Sequence, residues 1–171
     1  VLVADDNATN RRIFQKILEK WEMAPTLVAS GPEAIEAVFD AGRRGQPFDL
    51  VLLDVNMPDM DGFETAELIR QHPRLRRVPI IFMTSATDDT HELRGYSLGA
   101  VDYVLTPVVP DVLRTKVRVF VELFRMAEEL KQQAEERVAL AREQVGRAAA
   151  EDAARRSASL ADAGKTMARS L

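Results

Sequence analysis

Residues 49–54 read Asp49-Leu50-Val51-Leu52-Leu53-Asp54, four apolar residues that run directly into a carboxylate. A short apolar run without alternation is the pattern of a strand buried on both faces of a parallel sheet. A carboxylate at the end of such a strand needs a cation or hydrogen-bond donors to offset its lost hydration. Two further runs end in the same way. Val1-Leu2-Val3-Ala4 leads into Asp5-Asp6, and Pro79-Ile80-Ile81-Phe82-Met83 leads into Thr84. A fourth, Ala100-Val101-Asp102-Tyr103-Val104-Leu105, ends on Thr106-Pro107.

Outward from these runs, apolar segments alternate with longer amphipathic ones, which predicts an α/β fold with helices on both faces of a parallel sheet. Strands are expected near 1–4, 25–29, 49–53, 79–83 and 101–105, and helices near 9–21, 32–43, 61–71, 88–98 and from 110 onward. Ile13, Ile17, Leu18 and Trp21 supply the apolar spacing of the first helix, with Thr9 as its expected cap. Ser30-Gly31-Pro32-Glu33 opens the second, whose core face is expected at Ala34, Ile35, Val38 and Phe39. Asp61 is the expected cap of the third. His72 and His91 read as surface residues with no partner pattern for a metal.

Of the 171 residues, 46% are hydrophobic and 29% charged, a globular balance with room for one core and an extension. The net charge of −4 weighs against a general nucleic-acid binder, and no helix-turn-helix pattern is visible. The absence of cysteine excludes thiol catalysis and zinc-thiolate sites. No apolar run approaches the ~20 residues of a membrane span. The expected location is cytoplasmic. The chain opens on Val1 in mid-strand rather than on Met, so its natural start is expected further upstream.

Beyond about residue 125 proline and strand patterns disappear. Small or apolar residues recur at Phe120, Leu123, Phe124, Ala127, Leu130, Ala134, Val138, Ala141, Val145 and Ala148. From Ala127 the steps are three, four, four, three, four, three, and the consecutive fours form a stutter that locally relaxes a left-handed supercoil. The last helix is therefore expected to run unbroken to about residue 155, a length of about 65–70 Å. Such a stripe needs a partner, most simply the same helix of a second copy. The predicted organisation is a globular domain over 1–125, a dimeric coiled-coil helix over 126–156, and, over 157–171, the helical start of a following segment.

In an open parallel sheet, ligands bind beyond the carboxyl ends of the strands, where the strand order switches. In a 2-1-3-4-5 order, Asp5, Asp6 and Asp54 meet there. Three carboxylates so close repel one another unless a cation is present, and a hard cation such as Mg2+ suits an all-oxygen site. Asp54 would serve as both ligand and nucleophile toward a phosphoryl group, with Thr84 donating to one of its oxygens.

The residues Asp5-Asp6-Asn7, Leu52 through Gly62, Thr84-Ser85-Ala86 and Gly99 through Tyr103 together resemble the receiver domain of two-component response regulators. The resemblance covers about residues 1–125. It implies the flavodoxin-like, doubly wound fold. It also implies that Asp54 accepts a phosphoryl group from a histidine kinase or phosphotransfer protein. Mg2+ would be held by Asp6, Asp54 and the backbone carbonyl of Asn56, with Asp5 acting through water. Thr84 and Tyr103 would carry the switch, Thr84 moving toward the phosphoryl group and Tyr103 turning inward behind it. Such a domain is regulatory rather than an enzyme, and passes its state to an output domain. The first helix, through Arg11, Arg12 and Gln15, would be the docking face for the kinase.

The departure is Thr106. The family pattern has a lysine there, cis-linked to the following proline, and the lysine pairs with the nucleophilic aspartate and then with its phosphoryl group. A charged hydrogen bond of that kind is worth ~1.5–3 kcal/mol, and the shorter, neutral Thr106 cannot replace it. Arg11 or Arg12 is the nearest substitute in sequence. Two readings follow: a phosphoacceptor that relies on Mg2+ alone, or a phosphorylation-independent pseudo-receiver that serves as a dimerisation module. A phosphohydrolase of the haloacid-dehalogenase type expects an Asp-x-Asp motif after strand one. Here the strand-one acids are adjacent, and the candidate nucleophile follows strand three.

Overall fold

In the computed structural model, residues 1–73, 75–85 and 102–168 are described, with side chains described as far as 158. Five strands, β1 (Leu2–Ala4), β2 (Thr26–Val28), β3 (Val51–Asp54), β4 (Ile80–Thr84) and β5 (Asp102–Leu105), form one parallel sheet in the order β2-β1-β3-β4-β5. The helices are α1 (Ala8–Lys20), α2 (Gly31–Arg43), α3 (Gly62–Gln71) and α4 (Pro110–Ala168). The flavodoxin-like strand order matches the expected one. The helix expected at 88–98, His91, Ala86 and the Gly99-Ala100-Val101 part of the motif lie outside the described residues.

Alternating side chains send each strand into two cores. Leu2, Ala4, Leu53 and Phe82 face α2 and α3, where Val38, Phe63 and Ile69 are buried with them. Val3, Leu52, Ile81 and Met83 face α1 and α4, packing with Phe14, Leu18, Leu113 and Val117. The register sets the site: Ala4 pairs with Leu53, Asp54 with Met83, and Thr84 with Leu105. The three apolar runs therefore end together at one sheet edge.

Local details differ from expectation in three places. Helix α1 is capped by Asn7 rather than Thr9, because the Asn7 side-chain oxygen accepts from the N–H groups of Thr9 at 2.9 Å and Asn10 at 3.3 Å. Its core face is set by Phe14 and Leu18, while Ile13 is 47% exposed, one step round the helix. In α4, Phe120 and Phe124 pack against the two cores, whereas Leu123 and Leu130 are exposed. Ser30 and Asp61 cap α2 and α3 as expected. His72 caps the end of α3, with its ring centroid 5.1 Å from that of Phe39.

The chain forms two compact units, Val1–Met126 and Ala127–Leu171. Helix α4 continues past the expected end near 155, and Gly164 does not interrupt it. No described helix is long and apolar enough to cross a membrane.

Candidate functional site

The β1–α1 turn brings Asp5 and Asp6 to the sheet edge, and the end of β3 brings Asp54. One carboxylate oxygen from each lies within 4.8 Å of the others. Asp5 is fully buried, Asp54 half-buried and Asp6 exposed. Asp5 Oδ1 accepts from the Asn7 N–H at 2.8 Å and from Asn10 Nδ2 at 3.4 Å. Its Oδ2 is buried and has no hydrogen-bond partner among the described residues. An orphaned buried carboxylate oxygen beside two further carboxylates is the donor set of a hard divalent cation, and these residues fit Mg2+.

The electrostatics agree with the geometry. Burial pushes the Asp54 carboxyl up to about 6, and the charges of Asp5 and Asp6 push the same way, against the N–H donors of Asn56 and Val55. Burial also raises Asp5, and Asp6 adds to the rise, while the Asn7 N–H, Asn10 and Arg11 oppose it.

Arg11 lies at the edge of this cluster. Its Nη1 donates to the backbone carbonyls of Asp5 at 2.6 Å and Asp6 at 2.9 Å. The guanidinium holds the turn through these two carbonyls and moderates Asp5.

The β3–α3 loop closes over Asp54 through backbone contacts. The Asn56 N–H donates to Asp54 Oδ1 at 3.3 Å, which places Asn56 beside the acids. The Met60 N–H donates to the Pro58 carbonyl at 2.8 Å across Asp59, whose φ of +66° marks a γ-turn. Asp61 and Glu64 form a reciprocal capping box at 2.7 and 3.2 Å. The Gly62 N–H reaches the Val55 carbonyl at 3.1 Å, and a Cβ on Gly62 would lie 2.3 Å from the Asp54 carbonyl oxygen. Only glycine lets the loop approach the strand end so closely.

Thr84 is 2% exposed, one residue beyond the partner of Asp54. Tyr103 is 7% exposed, its ring centroid 5.5 Å from that of Phe82, which in turn lies 4.9 Å from Phe63 at the start of α3. The aromatic series thus runs from the helix after the Asp54 loop to β5. Thr106 is half-buried, and the Thr106-Pro107 bond is cis. The fold places Asp5, Asp6, Asp54 and Asn56 together, with Thr84 at the end of the neighbouring strand, Tyr103 against Phe82 and the Thr106 N–H on the Thr84 carbonyl. Sequence reasoning missed the Asn10 donor and the Arg11 contact with the two carbonyls. Neither follows from spacing, since both depend on how the first turn of α1 folds back on the acids.

Comparison with known proteins points the same way. Residues 1–118 match the model of the response regulator receiver domain. A probable cyclic di-GMP phosphodiesterase of Vibrio cholerae is 34% identical over 117 residues, which cover 68% of this chain and 25% of that protein. The chain thus spans about a quarter of that relative's length. The structure of the chemotaxis protein CheY4 of V. cholerae superposes with a TM-score of 0.64 at 27% identity, covering 70% of this chain and 95% of that one. The receiver domain of a Pseudomonas aeruginosa sensor histidine kinase, solved with a magnesium ion coordinated in its active-site cleft, gives 0.63 at 26% identity, covering 71% and 95%. On fold, site geometry and sequence alike, the chain belongs to the response regulator receiver domain family of two-component phosphorelay systems.

Proposed function

We propose that residues 1–125 are a phosphoacceptor receiver in which Asp54 takes a phosphoryl group from a histidine kinase or phosphotransfer protein. The observation that carries this reading is the orphaned Asp5 Oδ2 within a three-carboxylate cluster that includes Asp54. Asp6, Asp54 and the Asn56 carbonyl would hold Mg2+, with Asp5 in support through water. When bound, Mg2+ would offset the charge of the carboxylates and of the incoming phosphoryl oxygens. An Asp54 oxygen attacks phosphorus, an O–P bond forms, the N–P bond to the donor histidine breaks, and the imidazole nitrogen keeps the electron pair. Thr84 donates its hydroxyl to a phosphoryl oxygen, and Tyr103 packs behind it. Residues 126–156 pair with a second copy as a coiled coil, and 157–171 begin a following segment that leads to an output domain. The location is cytoplasmic.

A second reading, a phosphorylation-independent pseudo-receiver, is favoured by two observations: Thr106 stands where the lysine belongs, and Tyr103 is already buried. Calorimetric titration with beryllium fluoride separates the two. The phosphoacceptor reading expects beryllofluoride to bind only after Mg2+ is added, and Asp54→Asn to abolish that heat. Binding that ignores both Mg2+ and Asp54→Asn, or no binding at all, favours the pseudo-receiver.

A further inference from the structure

The two acids of the β1–α1 turn are held in different ways. The Asp5 carboxylate is fixed through its own side chain, since Oδ1 accepts from the Asn7 N–H at 2.8 Å and from Asn10 Nδ2 at 3.4 Å. The Asp6 carboxylate is exposed and accepts no hydrogen bond among the described residues. Its direction is therefore set by the backbone, and that backbone is held from the helix. Arg11 lies half-buried near the start of α1, and its Nη1 alone takes both the Asp5 carbonyl at 2.6 Å and the Asp6 carbonyl at 2.9 Å. Each peptide unit is planar. Two successive carbonyls turned toward one charged donor therefore fix the planes on either side of Asp6, and with them the line along which its side chain leaves the chain.

The charge of Arg11 and its contacts act in opposite directions on a cation. A guanidinium beside three carboxylates repels an arriving Mg2+, so charge alone makes Arg11 unfavourable to metal binding. A clamp on the backbone of a ligand residue favours it, because that residue no longer has to be ordered when the metal arrives. We propose that Arg11 is a positioning residue of the metal site: by holding the Asp5 and Asp6 carbonyls it presents the Asp6 carboxylate to the cation, and this effect outweighs its repulsion. The inference rests on the reading that Asp6 and Asp54 hold Mg2+. It also takes Arg11 out of the face expected to meet a kinase. Its neighbour Arg12 stays there, exposed and with a side chain that makes no hydrogen bond among the described residues.

Because the two effects differ in sign, calorimetric titration of the full chain with Mg2+ separates them. Arg11→Ala and Arg11→Gln are compared with Arg12→Ala, which removes the same charge from the next position. All are measured at a temperature where circular dichroism shows them folded, and Arg11→Gln carries the comparison where Arg11→Ala does not fold. The expected result is a roughly tenfold loss of Mg2+ affinity in both Arg11 variants, even though each makes the site more negative. Arg12→Ala is expected to bind Mg2+ as the natural sequence does, or slightly more tightly. Arg11 variants that bind Mg2+ as tightly as the natural sequence, or more tightly, overturn the inference and leave the metal site standing. A lowered thermal midpoint with unchanged Mg2+ affinity also overturns it, and reduces Arg11 to a brace of the turn. No Mg2+ heat from the natural sequence rejects the metal reading and the inference together.

Discussion

The Thr106 N–H donates to the Thr84 carbonyl at 2.9 Å, joining the two threonines across the ends of β4 and β5. The backbone of residue 106 is thus in place for a receiver, while its side chain lacks the cation that the family uses there. The acidic site holds a raised Asp54 and a buried Asp5 oxygen that has no donor among the described residues.

The raised Asp54 makes stability depend on pH in a definite direction. Its folded value, about 6, lies above the ordinary carboxylate value of 3.8, so the folded state holds a proton that the unfolded state has lost. The contribution of Asp54 to stability is fullest below the unfolded value and falls as pH rises between the two, and the raised Asp5 acts in the same sense. Asp54→Asn removes the charge, so it should raise the thermal midpoint at neutral pH without Mg2+, with a gain that fades in acid. Thermal unfolding across this pH range checks it, and Mg2+ should stabilise the natural sequence far more than the variant.

Thr106→Lys should place an ammonium near Asp54. We expect Asp54 to titrate below its present value of about 6 and the loss of stability between acid and neutral pH to shrink. Mg2+ affinity should fall several-fold, since the new cation competes for the same carboxylates. Carboxyl titration by NMR and calorimetry of Mg2+ binding read both effects.

Gly62→Ala meets the Asp54 carbonyl oxygen at 2.3 Å, and the neighbouring atom is backbone. The loop must shift, at a cost of about 1–3 kcal/mol in urea unfolding. Because that loop carries Asn56, Mg2+ affinity should fall as well.

Asp59 sits at a φ of +66°. Glycine adopts this conformation freely, so Asp59→Gly should leave stability unchanged or raise it by up to ~1 kcal/mol, whereas Asp59→Val should lower it by about 1–2 kcal/mol. Chemical denaturation of the two variants tests the assignment of strain to this turn.

The sequence exposed the sheet and its acidic edge because both depend on local pattern: apolar runs of strand length, each ended by a polar residue. The cap of α1 was misplaced because Asn7 and Thr9 are both good caps, and only the chain direction after Asp6 decides between them. Phe14 was overlooked because Ile13 and Ile17 offer a competing stripe one step round the helix. The roles of Phe120 and Phe124 were not legible, since the apolar residues of α4 divide between the cores and an exposed face that holds Val119 and Leu123. The Arg11 contact depends on how the first turn of α1 folds back on the Asp5 and Asp6 carbonyls, which no spacing rule encodes.

We propose that Asp54 works as a phosphoacceptor without the lysine. Its most direct test is the intact mass of the full chain after incubation with acetyl phosphate. The prediction is a gain of one phosphoryl group in the presence of Mg2+, absent after chelation and absent in Asp54→Asn. An unchanged mass with Mg2+ present, or a gain that survives Asp54→Asn, would contradict it.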